Sequence, residues 1–143
     1  MSKVSDILGD KGGRVLRIEA GSSVYEAVQE MVDENVGSLL VTDGGDIVGI
    51  VTERDYLRRV TLEGRTDRET PVGEIMSSPL VIVTPETDID ECMAIMTDRR
   101  IRHLPVVEDG DVVGVVSIGD LVKFKSKQQS FEIQYLTDYI TAG

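Results

Sequence analysis

A chain of 143 residues carries 15 basic and 26 acidic side chains, a net charge of −11, with apolar (41 %) and charged (29 %) fractions ordinary for a soluble globular unit. The acidic balance argues against a nucleic-acid groove, which needs clustered Lys and Arg, so any phosphate ligand requires a local positive pocket. A single cysteine excludes an internal disulfide, no apolar run is long enough to cross a bilayer, and no signal pattern follows Met1, so a cytoplasmic location is expected.

The first predicted strand is Val15 to Ile18. Gly21-Ser22-Ser23 then marks a turn, and Ser23-x-x-Glu26 reads as a capping box at the start of a helix. Val24, Ala27, Val28, Met31 and Val32 follow on one apolar stripe, and Asn35 to Gly37 ends the helix. Ser38 to Thr42 and Ile47 to Val51 read as strands joined by the hairpin connection Asp43-Gly44-Gly45-Asp46. A second helix carries Tyr56, Leu57 and Val60 and fades at Gly64. After a polar linker, Glu63 to Pro71, the order returns. The expectation is a strand Leu80 to Val83 and a helix from Asp88 carrying Ile89, Cys92, Met93 and Met96. Strands Leu104 to Val107 and Val112 to Val116 follow, then a helix from near Ile118. The helix spacing turns Cys92 toward the core, as packing and not as a reactive thiol.

This return is an internal repeat. Val41 to Asp55 (VTDGGDIVGIVTERD) recurs as Val106 to Asp120 (VVEDGDVVGVVSIGD) at a constant offset of 65. A short prelude also repeats: Val4-Ser5-Asp6-Ile7-Leu8 matches Val72-Gly73-Glu74-Ile75-Met76 at an offset of 68, because the loop around Lys11-Gly12-Gly13 is longer. The chain therefore divides into repeat 1 (1–62), a linker (63–71), repeat 2 (72–125) and a tail (126–143). Each half alone would be marginal, so the two should share a core. In the tail, Phe131, Ile133, Tyr135, Leu136, Tyr139 and Ile140 have the spacing of an amphipathic helix, which would lie either on this chain or in a dimer interface.

Each copy ends in a glycine, two apolar residues, a hydroxyl and, three residues on, an aspartate: Gly49-Ile50-Val51-Thr52…Asp55 and Gly114-Val115-Val116-Ser117…Asp120. A hydroxyl and a carboxylate at this spacing suit a polyol such as ribose. The alternative for Thr52 and Asp55 is that they cap the following helix. The main asymmetry is that Gly37-Ser38 of the first copy is replaced by Arg102-His103, with Arg99 and Arg100 just before.

Two β-α-β-β-α halves with G-h-h-[ST]-x-x-D endings resemble a pair of cystathionine β-synthase (CBS) domains, a Bateman module, over residues 2 to about 125. The resemblance implies a mixed α/β (α+β) fold of two pseudo-symmetric repeats packed through their sheets, here with an extra C-terminal helix. It implies adenosine compounds (AMP, ADP, ATP, NAD or S-adenosylmethionine) in two clefts. Asp55 and Asp120 would take the ribose hydroxyls. Thr52, Ser117 and Arg54 would serve ribose or phosphate, and Arg102, His103, Arg99 and Arg100 phosphate. Val15, Val36 and Ile50 would line the first adenine pocket, and Leu80, Ile101 and Val115 the second. For Val15, Val36 and Ile50 plain core packing is the alternative, for Arg54 a solvated place on the helix surface, and for Arg99 and Arg100 a solvated helix end that complements the dipole. Gly119 departs from the family pattern, in which a second small hydroxyl residue is common. If His103 faces phosphate, the anion favours its charged form and affinity should rise below about pH 6.5.

The partners implied are an adenosine nucleotide, a second copy in a homodimer and an unidentified effector protein, with no nucleic acid and no membrane. One histidine, one core cysteine and no Cys/His metal spacing leave no catalytic residue, catalytic cofactor or protein metal site to expect. The chain then reads as a regulatory nucleotide-binding module and not as an enzyme. The alternative is a structural or interaction protein that keeps the fold without using the clefts.

Overall fold

The structure, a computed structural model, describes residues 2–11 and 15–127. The expected tail helix and its apolar residues Phe131 to Ile140 lie outside the described residues. Two compact units are present: residues 15–81 form one, and residues 2–11 with 82–127 form the other.

In the unit of residues 15–81, the order is β1 (Arg17–Glu19), α2 (Val24–Glu34), β2 (Ser38–Asp43), β3 (Asp46–Thr52) and a four-residue α3 (Glu53–Tyr56). A π-turn Leu57–Thr61 and a 3₁₀ turn Val72–Glu74 complete it. The sheet order is β1-β2-β3, with β1 parallel to β2 and β2 antiparallel to β3. The hairpin turns on Gly44 and Gly45, both at positive φ (61° and 92°), the conformation a two-residue connection demands of its central pair. The Ser23 hydroxyl accepts from the Glu26 N–H at 3.1 Å, the serine half of the expected box. Val24, Ala27 and Met31 are buried on β2 and β3 residues such as Leu39, Val41 and Val51. Val32 does not join them: it is 72 % exposed. The second helix carries Tyr56, Leu57 and Val60 as its pattern implies, but only its first turn is an α-helix. Widening to a π-turn after Tyr56 brings Val60 into the core and turns Leu57 out.

The other unit holds α1 (Val4–Lys11), α4 (Ile89–Arg99), β4 (His103–Glu108), β5 (Asp111–Ser117) and a helix α5 over 118–127. Its sheet is only β4-β5, with Asp109 and Gly110 at positive φ in the turn. The expected strand Leu80 to Val83 shrinks to one parallel bridge, Val83 with Val106. The cause is one residue. In the first copy the Leu40 N–H donates to the Leu16 carbonyl at 3.0 Å; the position matching Leu40 is Pro105, which has no N–H to offer Val81.

Each prelude is docked on the opposite copy, by the same three backbone bonds. Val72 N donates to Ser22 O (2.8 Å), Gly73 N to Ala20 O (2.9 Å), and Val24 N to Thr70 O (2.9 Å). In the other unit Val4 N donates to Thr87 O, Ser5 N to Pro85 O and Ile89 N to Ser2 O, at 2.9, 2.9 and 3.0 Å. The motif glycines follow from this docking. A Cβ on Gly49 would lie 2.6 Å from Met76 Sδ and 2.8 Å from the Ser77 carbonyl, and one on Gly114 2.7 Å from Leu8 Cδ2. Val4, Ile7, Val72 and Ile75 are accordingly among the most buried side chains. The linker is also ordered onto its unit: Tyr25 N donates to Asp67 O, and the Arg68 guanidinium sits 4.0 Å over the Tyr25 ring.

Candidate functional site

The two motif endings adopt one local structure. Thr52 leaves β3 in an extended conformation as the N-cap of α3, and its hydroxyl accepts from the Asp55 N–H at 3.3 Å. Asp55 Oδ2 accepts in return from the Thr52 N–H (2.9 Å) and its hydroxyl (3.2 Å), closing a capping box with aspartate in the usual glutamate position. At the other ending the Ser117 N–H donates to Asp120 Oδ2 at 2.8 Å, and the Asp120 N–H to Ser117 Oγ at 3.1 Å. Each hydroxyl and carboxylate is thus held side by side at a helix N-terminus. The capping role weighed from the sequence is real in both copies.

The surroundings differ. Asp55 is only 8 % exposed, and its Oδ1 accepts from Ser77 Oγ at 3.1 Å; Asp120 is half-buried. Ser77 is further paired with Ile50, whose N–H donates to Ser77 O (3.1 Å) while the Ser77 N–H donates to Ile50 O (2.8 Å). Arg59 donates to the carbonyls of Ile75 and Met76 at 3.3 and 3.2 Å, fixing the same segment. Neither Ser77 nor Arg59 stood out in the sequence. The signal that could have found them is the broken repeat: Ser77 aligns with Gly9 and Arg59 with Phe124.

Arg54 is half-buried, and its guanidinium has no ion-pair partner among the described residues. Val36 follows the left-handed Asn35 and donates to Met31 O, while Val15 leads into β1; both are half-buried. Ile50 is buried. Leu80, grouped with the second set by the repeat, belongs to the unit of residues 15–81 and is half-buried.

In the other unit, strand register gathers the basic pair at the motif. His103 lies directly opposite Ser117 across β4 and β5, where facing side chains stand about 5 Å apart. The neighbouring Arg102 carbonyl accepts from the Ile118 N–H at 2.9 Å, which pins Arg102 to the first turn of α5. The His103 ring is half-buried with its Nδ1 enclosed, and the Arg102 side chain is exposed. A cation at a helix N-terminus opposes the helix dipole. Arg102 and His103 at the start of α5 favour an anion there, opposed by the Asp120 carboxylate. Arg99 ends α4, and Arg100 occupies the left-handed cap at φ 56°; both are exposed, and Arg99 approaches Asp98 at 4.0 Å. Ile101 and Val115 are half-buried.

Cys92 is fully buried on α4, and burial pushes its thiol up to about 11, helped by the nearby Glu91 and Asp88 carboxylates. No cluster of His, Cys, Asp and Glu able to hold a metal occurs among the described residues. No helix among them is long and apolar enough to cross a membrane.

The CBS domain family model matches residues 4–62 and 72–127. The chain is 42 % identical over 149 residues to the CBS domain-containing protein CBSX3, mitochondrial, of Arabidopsis thaliana, covering 98 % of this chain and 72 % of that protein. It is 34 % identical to the CBS domain-containing protein YhcV of Bacillus subtilis, covering 91 % of this chain and 90 % of the relative. Among solved structures, a CBS-domain protein from Burkholderia ambifaria matches with TM-score 0.85 and 45 % identity, over 90 % of this chain and 96 % of that one. The CBS-domain containing protein ATU1752 from Agrobacterium tumefaciens matches with TM-score 0.80 and 36 % identity, over 85 % and 91 %. The doubled motif, the docked preludes and these matches lead to one conclusion: the chain belongs to the CBS-domain family as a tandem pair of CBS repeats.

Proposed function

We propose that this chain is a regulatory module that binds an adenosine nucleotide and transmits its occupancy to a second copy of itself or to a partner protein. CBS-domain proteins are generally regulatory and often bind nucleotides. The observation that carries the reading is the cluster Ser117, Asp120, Arg102 and His103 at the start of α5, in an otherwise acidic protein. It combines an acceptor for ribose hydroxyls with donors for phosphate, and charge-assisted bonds of this kind are the strong ones. The first copy supplies a second carboxylate, Asp55, with Arg54 as its nearest cation in sequence and Ser38 in place of His103. The second copy is therefore the tighter site for a phosphorylated ligand. Ile101 and Val115 supply apolar surface for the base in that copy, and Val36 and Ile50 do so in the first.

To signal, the nucleotide must bind two conformations with different affinity, since equal affinity shifts no equilibrium. The side chains present bind and orient; no nucleophile, poised base or metal cluster among the described residues points to turnover.

The test is calorimetric titration with AMP, ATP, NAD, S-adenosylmethionine and GMP. Micromolar binding of an adenosine compound but not GMP is the expected result, and its stoichiometry tells one live copy from two. No heat and no thermal stabilisation with any of them overturns the reading. A second reading, a non-catalytic interaction protein, has its own support: both carboxylates already serve as helix caps. It expects Asp55→Ala and Asp120→Ala to change stability or assembly with no ligand effect at all.

A further inference from the structure

We infer that Ser77 is a latch on the first copy's carboxylate, so that a ligand diol reaches Asp55 only by displacing the Ser77 hydroxyl. The inference rests on the proposed reading of Asp55 as a ribose contact and adds regulation to it. A carboxylate has about four acceptor positions. On Asp55 three are filled: two on Oδ2 by Thr52 and one on Oδ1 by Ser77. A vicinal diol brings two donors, so one existing donor must leave. The Thr52 N–H cannot withdraw without opening the start of α3, and both Thr52 bonds fall on Oδ2, which leaves Oδ1 as the less occupied oxygen with Ser77 as its donor. Ser77 Oγ comes from a segment 22 residues away and leaves by rotation about one bond.

The consequence reaches the backbone at Ser77. Residues Val72 to Met76 are held by the prelude bonds and by Arg59, whereas Ser77 is fastened by its two backbone bonds to Ile50 and by this hydroxyl. Removing the hydroxyl tie leaves Ser77 held by its two backbone bonds to Ile50 alone, and the Ser77 N–H is the amide whose exchange reads that change. Ser77 aligns with Gly9, so the second motif has no hydroxyl at the matching position.

The experiment uses the full chain carrying Asp120→Asn, which retains a helix cap at the second motif, with AMP as probe. Calorimetry and exchange of the amide at position 77 are compared with and without Ser77→Ala. Removing the competitor should tighten AMP binding roughly three- to tenfold. With Ser77 present, AMP should speed exchange at that amide; with Ser77→Ala, exchange should be fast already and insensitive to AMP. Unchanged or weaker affinity in Ser77→Ala, or an AMP-induced change at that amide that survives the substitution, overturns the latch but leaves the nucleotide reading standing. Absence of AMP binding in this background overturns the latch, and absence of binding by AMP, ATP, NAD and S-adenosylmethionine in the unsubstituted chain defeats the nucleotide reading with it.

Discussion

The same seven-residue motif stands twice in this chain, and the two copies use it differently. Around Gly49 the fit is rigid: a methyl group there would meet the Ser77 backbone carbonyl at 2.8 Å as well as Met76 Sδ at 2.6 Å. Around Gly114 the one close neighbour is the end of the Leu8 side chain at 2.7 Å, with the next atom at 3.8 Å. Asp55 is buried and tied to Ser77, whereas Asp120 is half-buried and caps its helix with Ser117, which His103 faces across the strand pair. One copy has tightened around its docked prelude; the other has gathered positive charge. A repeat thus preserves backbone geometry while leaving each copy free to specialise in side chains.

The sharpest way to break the comparison is at the glycines. Gly49→Ala should lose about 3 kcal/mol, because a carbonyl fixed in a bridge cannot move aside, while Gly114→Ala should lose about 1 kcal/mol as Leu8 changes rotamer. Urea unfolding of both variants checks this, and equal losses would mean that the first unit is no more rigid than the second. Next come the aspartates. Asp120→Ala should weaken nucleotide binding roughly 10- to 100-fold. Asp55→Ala should cost mainly stability, about 1–2 kcal/mol, through loss of a cap and of the partner of Ser77. Titration and unfolding of the same two proteins separate the effects.

A smaller difference lies at the helix ends. Asn35 and Arg100 hold matching left-handed caps at φ 55° and 56°, a conformation asparagine tolerates far better than arginine. Arg100→Asn should therefore raise stability by up to about 1 kcal/mol in thermal unfolding, without weakening the cap.

The smallest effect is at Cys92. Its thiol is held protonated up to about pH 11, above the ordinary value of 9.0, so the folded state retains a proton that the unfolded chain gives up. The sign follows: this contribution is fully present below pH 9 and is lost as pH rises toward 11. Native protein should resist maleimide labelling at neutral pH and become reactive in urea. Rapid native labelling would show that the α4 face opens more readily than its packing implies.

Much of the fold was legible in the residues. Apolar spacing located α2 and α4, Asp-Gly and Gly-Gly turns located both hairpins, and the hydroxyl–aspartate spacing located both capping boxes. These features depend on neighbours within about five positions, where spacing alone sets which side chains meet. The Leu80 to Val83 strand failed because its pairing depended on Pro105, some 24 residues on, and a strand exists only if its partner has donors to give. Val32 failed because helical spacing says which residues share a face but not which of them a neighbour covers.

The repeat, the motif endings and the basic residues after α4 were determined by the sequence itself, since local backbone preference and register write them directly into residue order. Tertiary structure alone decided that each prelude docks on the opposite copy, that Ser77 reaches Asp55 across 22 residues, and that strand register sets His103 beside Ser117. Contacts of that kind join segments far apart in the chain, and they exist only once packing has chosen which surfaces meet.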